Sequence, residues 1–310
     1  MSAGGGRATA VLLLKLVLVP AILAGAWFWA RHEGVSIAPK GPWWLLAAAL
    51  AINQVGILLI GVRMHAGLRL FGIDLPSIQA LRIGTQSQFY FFFVPLSAGN
   101  EVSRFMKIRA LRPETPTHSL VVSLLLDRVT GLVACLALAL GSLPLLARQP
   151  IAGLKVPPMA VAGGAAALLA AAVVVAWKLG WLSRVAEAWR ETRGRRHLLV
   201  PVAAWVLCMQ ACTILAVGAA ARWLGIQVAP EVLVFGISAA TLGQVIPVTL
   251  AGAGPAEAAG VAVFLATGME AADAGTLAAL IYLTRLMAAL EGGAWEMAEG
   301  LRVLMRRGHR

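Results

Sequence analysis

Charge is scarce in this chain. Only 13% of its 310 residues are Asp, Glu, Lys or Arg, against about 25% in a soluble globular domain. Acidic groups are scarcer still: 14, against 26 Lys and Arg, for a net charge of +12. Cysteine is limited to Cys135, Cys208 and Cys212, all inside apolar segments. Cys208 and Cys212 share a helical face, but no His or acidic residue accompanies them, so they read as small apolar packers rather than metal ligands or a disulfide. His32, His65, His118, His197 and His309 fall in loops or at segment ends. No His/Asp/Glu cluster has metal spacing and no nucleophile stands beside a base. The glycines near Gly252 and Gly254 follow no strand, so a dinucleotide loop fails on context. These absences argue against a metalloenzyme or a nucleotide-driven machine, and neither cofactor nor metal is expected. An integral-membrane lipid transferase or phosphatase is the disfavoured class.

What the chain has is apolar length. Sixty per cent of the residues are hydrophobic, well above a soluble domain, and several segments are long enough to cross a core of about 30 Å. The expectation is an all-α, multi-pass cell-membrane protein, in the inner membrane if bacterial. The basic excess points to membrane orientation, not to nucleic acid. Full spans are expected over 11–30, 43–62, 118–146, 159–177, 198–223 and 272–304, the last interrupted at Gly292-Gly293. Arg63, Arg69 and Arg82 are expected to flank a short connector. The amides Asn53, Gln54 and Gln210 sit at mid-span, where they face other helices.

Two further segments break in the middle. Residues 84–104 carry the polar strip Gln86 and Gln88, an aromatic run, then Pro95, Gly99, Asn100, Glu101 and Arg104. Residues 230–257 carry Gln244, then Pro247, Gly252, Gly254 and Glu257. Proline removes a backbone donor and glycine opens backbone angles closed to other residues. Freed backbone groups at membrane depth need protein or a water-filled cavity. Each break reads as a re-entrant helical hairpin; the first reads alternatively as a loop at the end of an ordinary membrane helix, with Arg104, Lys107 and Arg109 as interface anchors. The order Pro, Gly, acid and buried arginine occurs twice. Glu101 precedes Arg128 by 27 residues and Glu257 precedes Arg285 by 28. With the basic loop 178–196 and the basic tail in the cytoplasm, both termini are cytoplasmic and every element of the second half runs opposite to its counterpart. The expected architecture is one membrane domain of six helices and two hairpins. Its inverted halves cover about 11–146 and 157–305, joined by loop 147–158. Paired breaks in inverted halves point to a transporter site.

The run from Pro95 through Gly99, Asn100 and Glu101 to Arg104, the pair Asp127-Arg128 with Gly131, the run from Pro247 through Gly254 to Glu257, and then Arg285 together resemble the membrane-embedded, flippase-like domain of lysylphosphatidylglycerol synthases. Two loops depart from the pattern. Asn100 separates Gly99 from the acid, and Gly252-Ala253-Gly254-Pro255-Ala256-Glu257 stands where relatives often read Gly-Gly-x-Gly-x-x-Glu. The resemblance implies a flippase; some stand-alone relatives are linked to lipid-linked glycan or hopanoid pathways. Within 310 residues no aminoacyl-transfer domain is expected, nor its activity.

The candidate path for a lipid headgroup comprises Gln86, Gln88, Asn100, Glu101, Arg104, Asp127, Arg128, Gln244, Glu257, Arg285 and Glu291. Glu101, Arg104, Asp127 and Arg128 are expected to form one cluster and Glu257, Arg285 and Glu291 another. Within them, Glu101 should pair with Arg128 and Glu257 with Arg285. Guanidinium groups suit a lipid phosphate. The acids and amides suit a zwitterionic or sugar-bearing headgroup, so the expected cargo is a phosphate-containing (glyco)lipid or aminoacylated phospholipid. Movement is expected to be downhill or ion-coupled, with Glu101 or Glu257 as proton carrier. The competing readings are that these charges only lock helices together, or that the chain is an accessory subunit holding a membrane or cytoplasmic enzyme of the same lipid pathway through loop 178–197. A homo-oligomer stays open.

Overall fold

Proline and glycine punctuate the chain. The computed structural model describes residues 39–93, 99–146, 186–187, 189–190, 192–244 and 254–308. Within them lie eight α-helices: α1 (Trp43–Leu70), α2 (Ser77–Phe93), α3 (Gly99–Leu111), α4 (Thr117–Leu146), α5 (Leu199–Trp223, after a 3₁₀ turn at Arg193–Leu198), α6 (Pro230–Gly243), α7 (Pro255–Ala266) and α8 (Ala271–Gly308). No strand occurs among the described residues. Pro42, Pro76 and Pro116 immediately precede α1, α2 and α4, while Pro230 and Pro255 are the first residues of α6 and α7. At a helix start the missing N–H costs nothing and the fixed φ is already helical. Three helices stop at a glycine with positive φ: Gly72 (74°), Gly225 (81°) and Gly268 (82°). In each the next residue's N–H reaches back to the last turn: Ile73 to Leu68, Ile226 to Ala221 and Met269 to Phe264. This is the Schellman pattern, and glycine adopts its left-handed position without a Cβ clash.

Among the described residues, four helical segments are long and apolar enough to span: Trp43–Leu70, Thr117–Leu146, Arg193–Trp223 and Ala271–Gly300. The expected spans at 11–30 and 159–177 lie outside the described residues, as do Pro95, Pro247 and Gly252. Gly99 and Gly254 stand at the starts of α3 and α7. The helices flanking each break are too short to cross a core of about 30 Å alone. Within each half they pack together, α2 on α3 and α6 on α7.

Three boundaries differ from expectation. The second span does not end at Val62. It runs to Leu70, so Arg63 and His65 lie inside a helix rather than in a connector. The helix before the first break starts at Ser77 rather than 84, so Arg82 lies inside α2. Gly292-Gly293 does not interrupt α8, which is continuous over 38 residues. The glycine pair is a contact instead. A Cβ at Gly292 would overlap the Thr85 carbonyl oxygen, and one at Gly293 would lie 2.9 Å from the Phe89 ring. A second such crossing joins α1 and α2, where a Cβ at Gly84 would come within 2.8 Å of the Gly61 Cα.

Helix α1 packs most extensively on α5, and the two run antiparallel. Lys40, before α1, covers the Gly225 turn after α5; Gly56 meets Cys212; Arg195, before α5, covers the Gly72 turn after α1. Each cation thus sits at the other helix's carbonyl end, where a helix dipole favours positive charge. The first helix of each broken pair packs on the last span of the other half, α2 on α8 and α6 on α4. One apolar core joins α4 to α5, α6, α7 and α8, around Phe235, Ile237, Phe264, Leu277 and Ile281. Another joins α1 to α2, α3 and α4, around Met64, Leu68, Ile83, Ile108 and Leu120.

Candidate functional site

A cavity of about 180 Å³ carries charged and amide side chains among apolar ones. Its first-half wall holds Arg63 of α1, Gln88 of α2, Asn100, Glu101 and Arg104 of α3, and Asp127 and Arg128 of α4; its second-half wall holds Met209, Gln210, Thr241 and Gln244. Both halves line the same space.

Asp127 is the centre of the charge. Its carboxylate takes a two-point contact from Arg63, with Nε 2.6 Å from Oδ1 and Nη2 donating to Oδ2 at 2.7 Å. Arg104 Nη1 donates to Oδ2 at 2.8 Å. Arg104 Nε also donates to Ser87 Oγ at 2.9 Å, and that hydroxyl donates to the Gly84 carbonyl at 2.7 Å. The three ionised groups are buried, at 8%, 2% and 7% exposure for Arg63, Arg104 and Asp127, so each depends on the others for solvation. Arg128 Nη1 donates to Glu101 Oε1 at 2.7 Å. Among the described residues Glu101 Oε2 and Asn100 Oδ1, both buried atoms, meet no donor.

The remaining candidate residues lie elsewhere. Glu257 and Arg285 form an ion pair, and neither lines the cavity. Glu257 Oε2 also accepts from the Gly254 N–H at 2.7 Å, which makes it a cap for the first turn of α7. Gly254 has no side chain to complete the reciprocal bond. Glu291 accepts from Gln54 Nε2 at 3.0 Å instead of joining the Glu257–Arg285 pair. Gln86 is fully buried; it donates to Glu299 at 2.8 Å and accepts from Lys107 at 3.1 Å. Lys107 also lies 2.5 Å from Glu296, and Arg82 3.5 Å from Glu299. The mid-span amides do face other helices: Asn53 donates to Met287 Sδ at 3.8 Å and Gln210 to Cys135 Sγ at 2.6 Å.

Both expected ion pairs, Glu101–Arg128 and Glu257–Arg285, are therefore present. Arg63, Glu296 and Glu299 were missing from the candidate set. A signal for Arg63 exists in the sequence. Arg69-Leu70-Phe71-Gly72-Ile73 and Arg222-Trp223-Leu224-Gly225-Ile226 repeat one Arg-x-x-Gly-Ile helix ending, which places the end of α1 beyond Arg63. Glu296 and Glu299, three apart, share a helical face.

If the Glu101–Arg128 pair matters to the fold, the single change Glu101→Gln should lower the melting temperature of the detergent-solubilised protein. Adding Arg128→Met should restore part of it, because the pair is only partly shielded from solvent, at 28% and 24% side-chain exposure, and removing one partner strands the other charge while replacing both removes the mismatch. Equal losses in the single and double variants would show that the pair contributes nothing.

Long apolar helices around a cavity walled with charge define a polytopic α-helical membrane protein with an internal polar site. The family follows from the sequence as a whole. The chain belongs to the lysylphosphatidylglycerol synthase TM region family, whose model matches residues 8–291. No curated protein and no solved structure matches it. Membership in that family makes this a membrane protein of lipid-related function.

Proposed function

We propose that this protein is a lipid translocator that moves a phosphate-containing (glyco)lipid or an aminoacylated phospholipid between leaflets. The observation that carries the reading is the cavity, because its charged wall comes from one half and its neutral wall, Gln210, Thr241 and Gln244, from the other. A headgroup crossing hydrocarbon needs such a polar space at depth. Of the residues expected to bind substrate, those at the cavity face it, namely Gln88, Asn100, Glu101, Arg104, Asp127, Arg128 and Gln244, and Arg63 joins them there. Gln86, Glu257, Arg285 and Glu291 act from outside it, tying helices together.

In this reading α2–α3 and α6–α7 are re-entrant hairpins in inverted halves. The antiparallel course of α1 and α5 and the reciprocal packing of α2 on α8 and α6 on α4 support it. Paired broken helices around a shared site suit alternating access, with one half rocking on the other. One end of the bundle gathers Arg195 over Gly72, Arg112 bonded to the Asp74 carbonyl, Arg82 and Lys107. This end faces the cytoplasm by the positive-inside bias.

The test is reconstitution of the purified protein in liposomes carrying a fluorescent, headgroup-intact phosphatidylglycerol in both leaflets, followed by a membrane-impermeant quencher. A translocator lets quenching pass the half that protein-free liposomes show. Folded protein that leaves the inner-leaflet signal protected would sink the proposal and favour the accessory or enzymatic reading.

A further inference from the structure

The charges at the cavity do not balance. Arg128 is matched by Glu101, and away from the cavity Arg285 is matched by Glu257. Arg63 and Arg104, by contrast, share the single carboxylate of Asp127. Three guanidinium groups against two carboxylates leave the described wall with one positive charge in excess. The segments that join α2 to α3 and α6 to α7, residues 94–98 and 245–253, contain no ionisable side chain.

At the cavity, unspent donors remain on these same two arginines. Arg63 donates Nη2 to Asp127 and holds Nε 2.6 Å from its Oδ1 as an ion contact, and its third nitrogen, Nη1, has only the Met209 thioether, 3.9 Å away. A thioether is a weak acceptor. Gly131 keeps that nitrogen uncovered: a Cβ there would stand 3.6 Å from it. Arg104 uses Nε on Ser87 and Nη1 on Asp127, and its Nη2 meets no acceptor among the described residues. A buried guanidinium without its counter-charge is costly, and planar N–H groups match the oxygens of a phosphate.

We propose that Arg63 and Arg104, held apart by Asp127, form an oxyanion subsite that takes a phosphate group, and that Arg128 and Arg285 do not. The assignment deepens the translocator reading and rests on it for the lipid source of the phosphate. Asp127 acts as a positioning residue here. It orients both guanidinium groups and cancels one charge, so the site attracts an anion without holding it too tightly for release.

The experiment is calorimetric binding to the full chain in maltoside detergent, with inorganic phosphate and dihexanoyl-phosphatidylglycerol as probes. Arg63→Met and Gln244→Glu each cancel the surplus charge, and each should weaken binding by about tenfold, the scale of one unit charge at close range in a partly polar site. Gln244→Lys should strengthen it. The Gln244 variants break no ion pair, so they decide the matter even if Arg63→Met does not fold. Wild-type affinity in Gln244→Glu and Gln244→Lys would overturn the subsite. Charge-dependent binding of inorganic phosphate but not of the short-chain lipid would uphold the anion site while removing the lipid translocator. Lipid movement that persists in liposomes with all three variants would do the reverse.

Discussion

Asp127→Asn is expected to be among the most damaging single substitutions in the chain. The amide keeps the shape of the carboxylate but leaves Arg63 and Arg104 both buried with no counter-ion. Removing one partner from a buried ionic cluster costs about 3–5 kcal/mol, a large share of the about 5–15 kcal/mol that holds an ordinary domain together. Folded yield and melting temperature, read by fluorescence-detected size-exclusion chromatography after heating, should fall sharply. Arg63→Met should be milder, since Asp127 retains Arg104 at 2.8 Å. A melting temperature for Asp127→Asn at or above that of Arg63→Met would show that Asp127 is not the keystone of the cluster.

The second large effect should come from Gly292→Leu. The new Cβ would overlap a backbone carbonyl at Thr85, and the rest of the side chain would press on Phe89. A flexible side chain could swing away, but a helix backbone cannot. The cost should therefore reach the upper end of the ~1–3 kcal/mol typical of overpacking. It should also separate Gln86 and Lys107 from Glu299 and Glu296, whose contacts span the same α2–α3 to α8 seam. Gly300→Leu, eight residues on where nothing lies within 4 Å, is the comparison. The same size-exclusion melt should separate the two variants widely, and equal losses would mean that the crossing is not tight.

Much of this architecture was readable because membrane helices are marked by length and their ends by proline. Helix α4 begins at Thr117 and ends at Leu146, one residue from the expected start. The Glu–Arg pairs were readable because nearly the same spacing, 27 and 28 residues, occurs twice and intramembrane charges seek partners. Arg63 escaped for a related reason. An arginine after a twenty-residue, mostly apolar span reads as an interface marker, and its partner Asp127 is 64 positions away on another helix. Only the third dimension says that this arginine is covered. Gly292-Gly293 misled in the opposite direction. Glycine weakens an isolated helix, yet here the pair lets two backbones approach, and packing outweighs propensity.

Synthesis proceeds from the amino terminus, and the contacts of α8 then acquire an order in time. Gln54, Gln86, Lys107 and Arg82 belong to the first half, but the carboxylates that meet them, Glu291, Glu296 and Glu299, all lie on the last helix. A nascent chain that has reached only α4 already contains every partner of the Arg63–Asp127–Arg104 cluster and the Glu101–Arg128 pair, but holds polar groups at the α2–α3 edge with nothing opposite them. That edge stays unfinished until the ribosome delivers α8. A partly made molecule thus displays uncompensated polarity where the finished one shows paired charges, which is the kind of difference by which membrane quality control can tell the two apart.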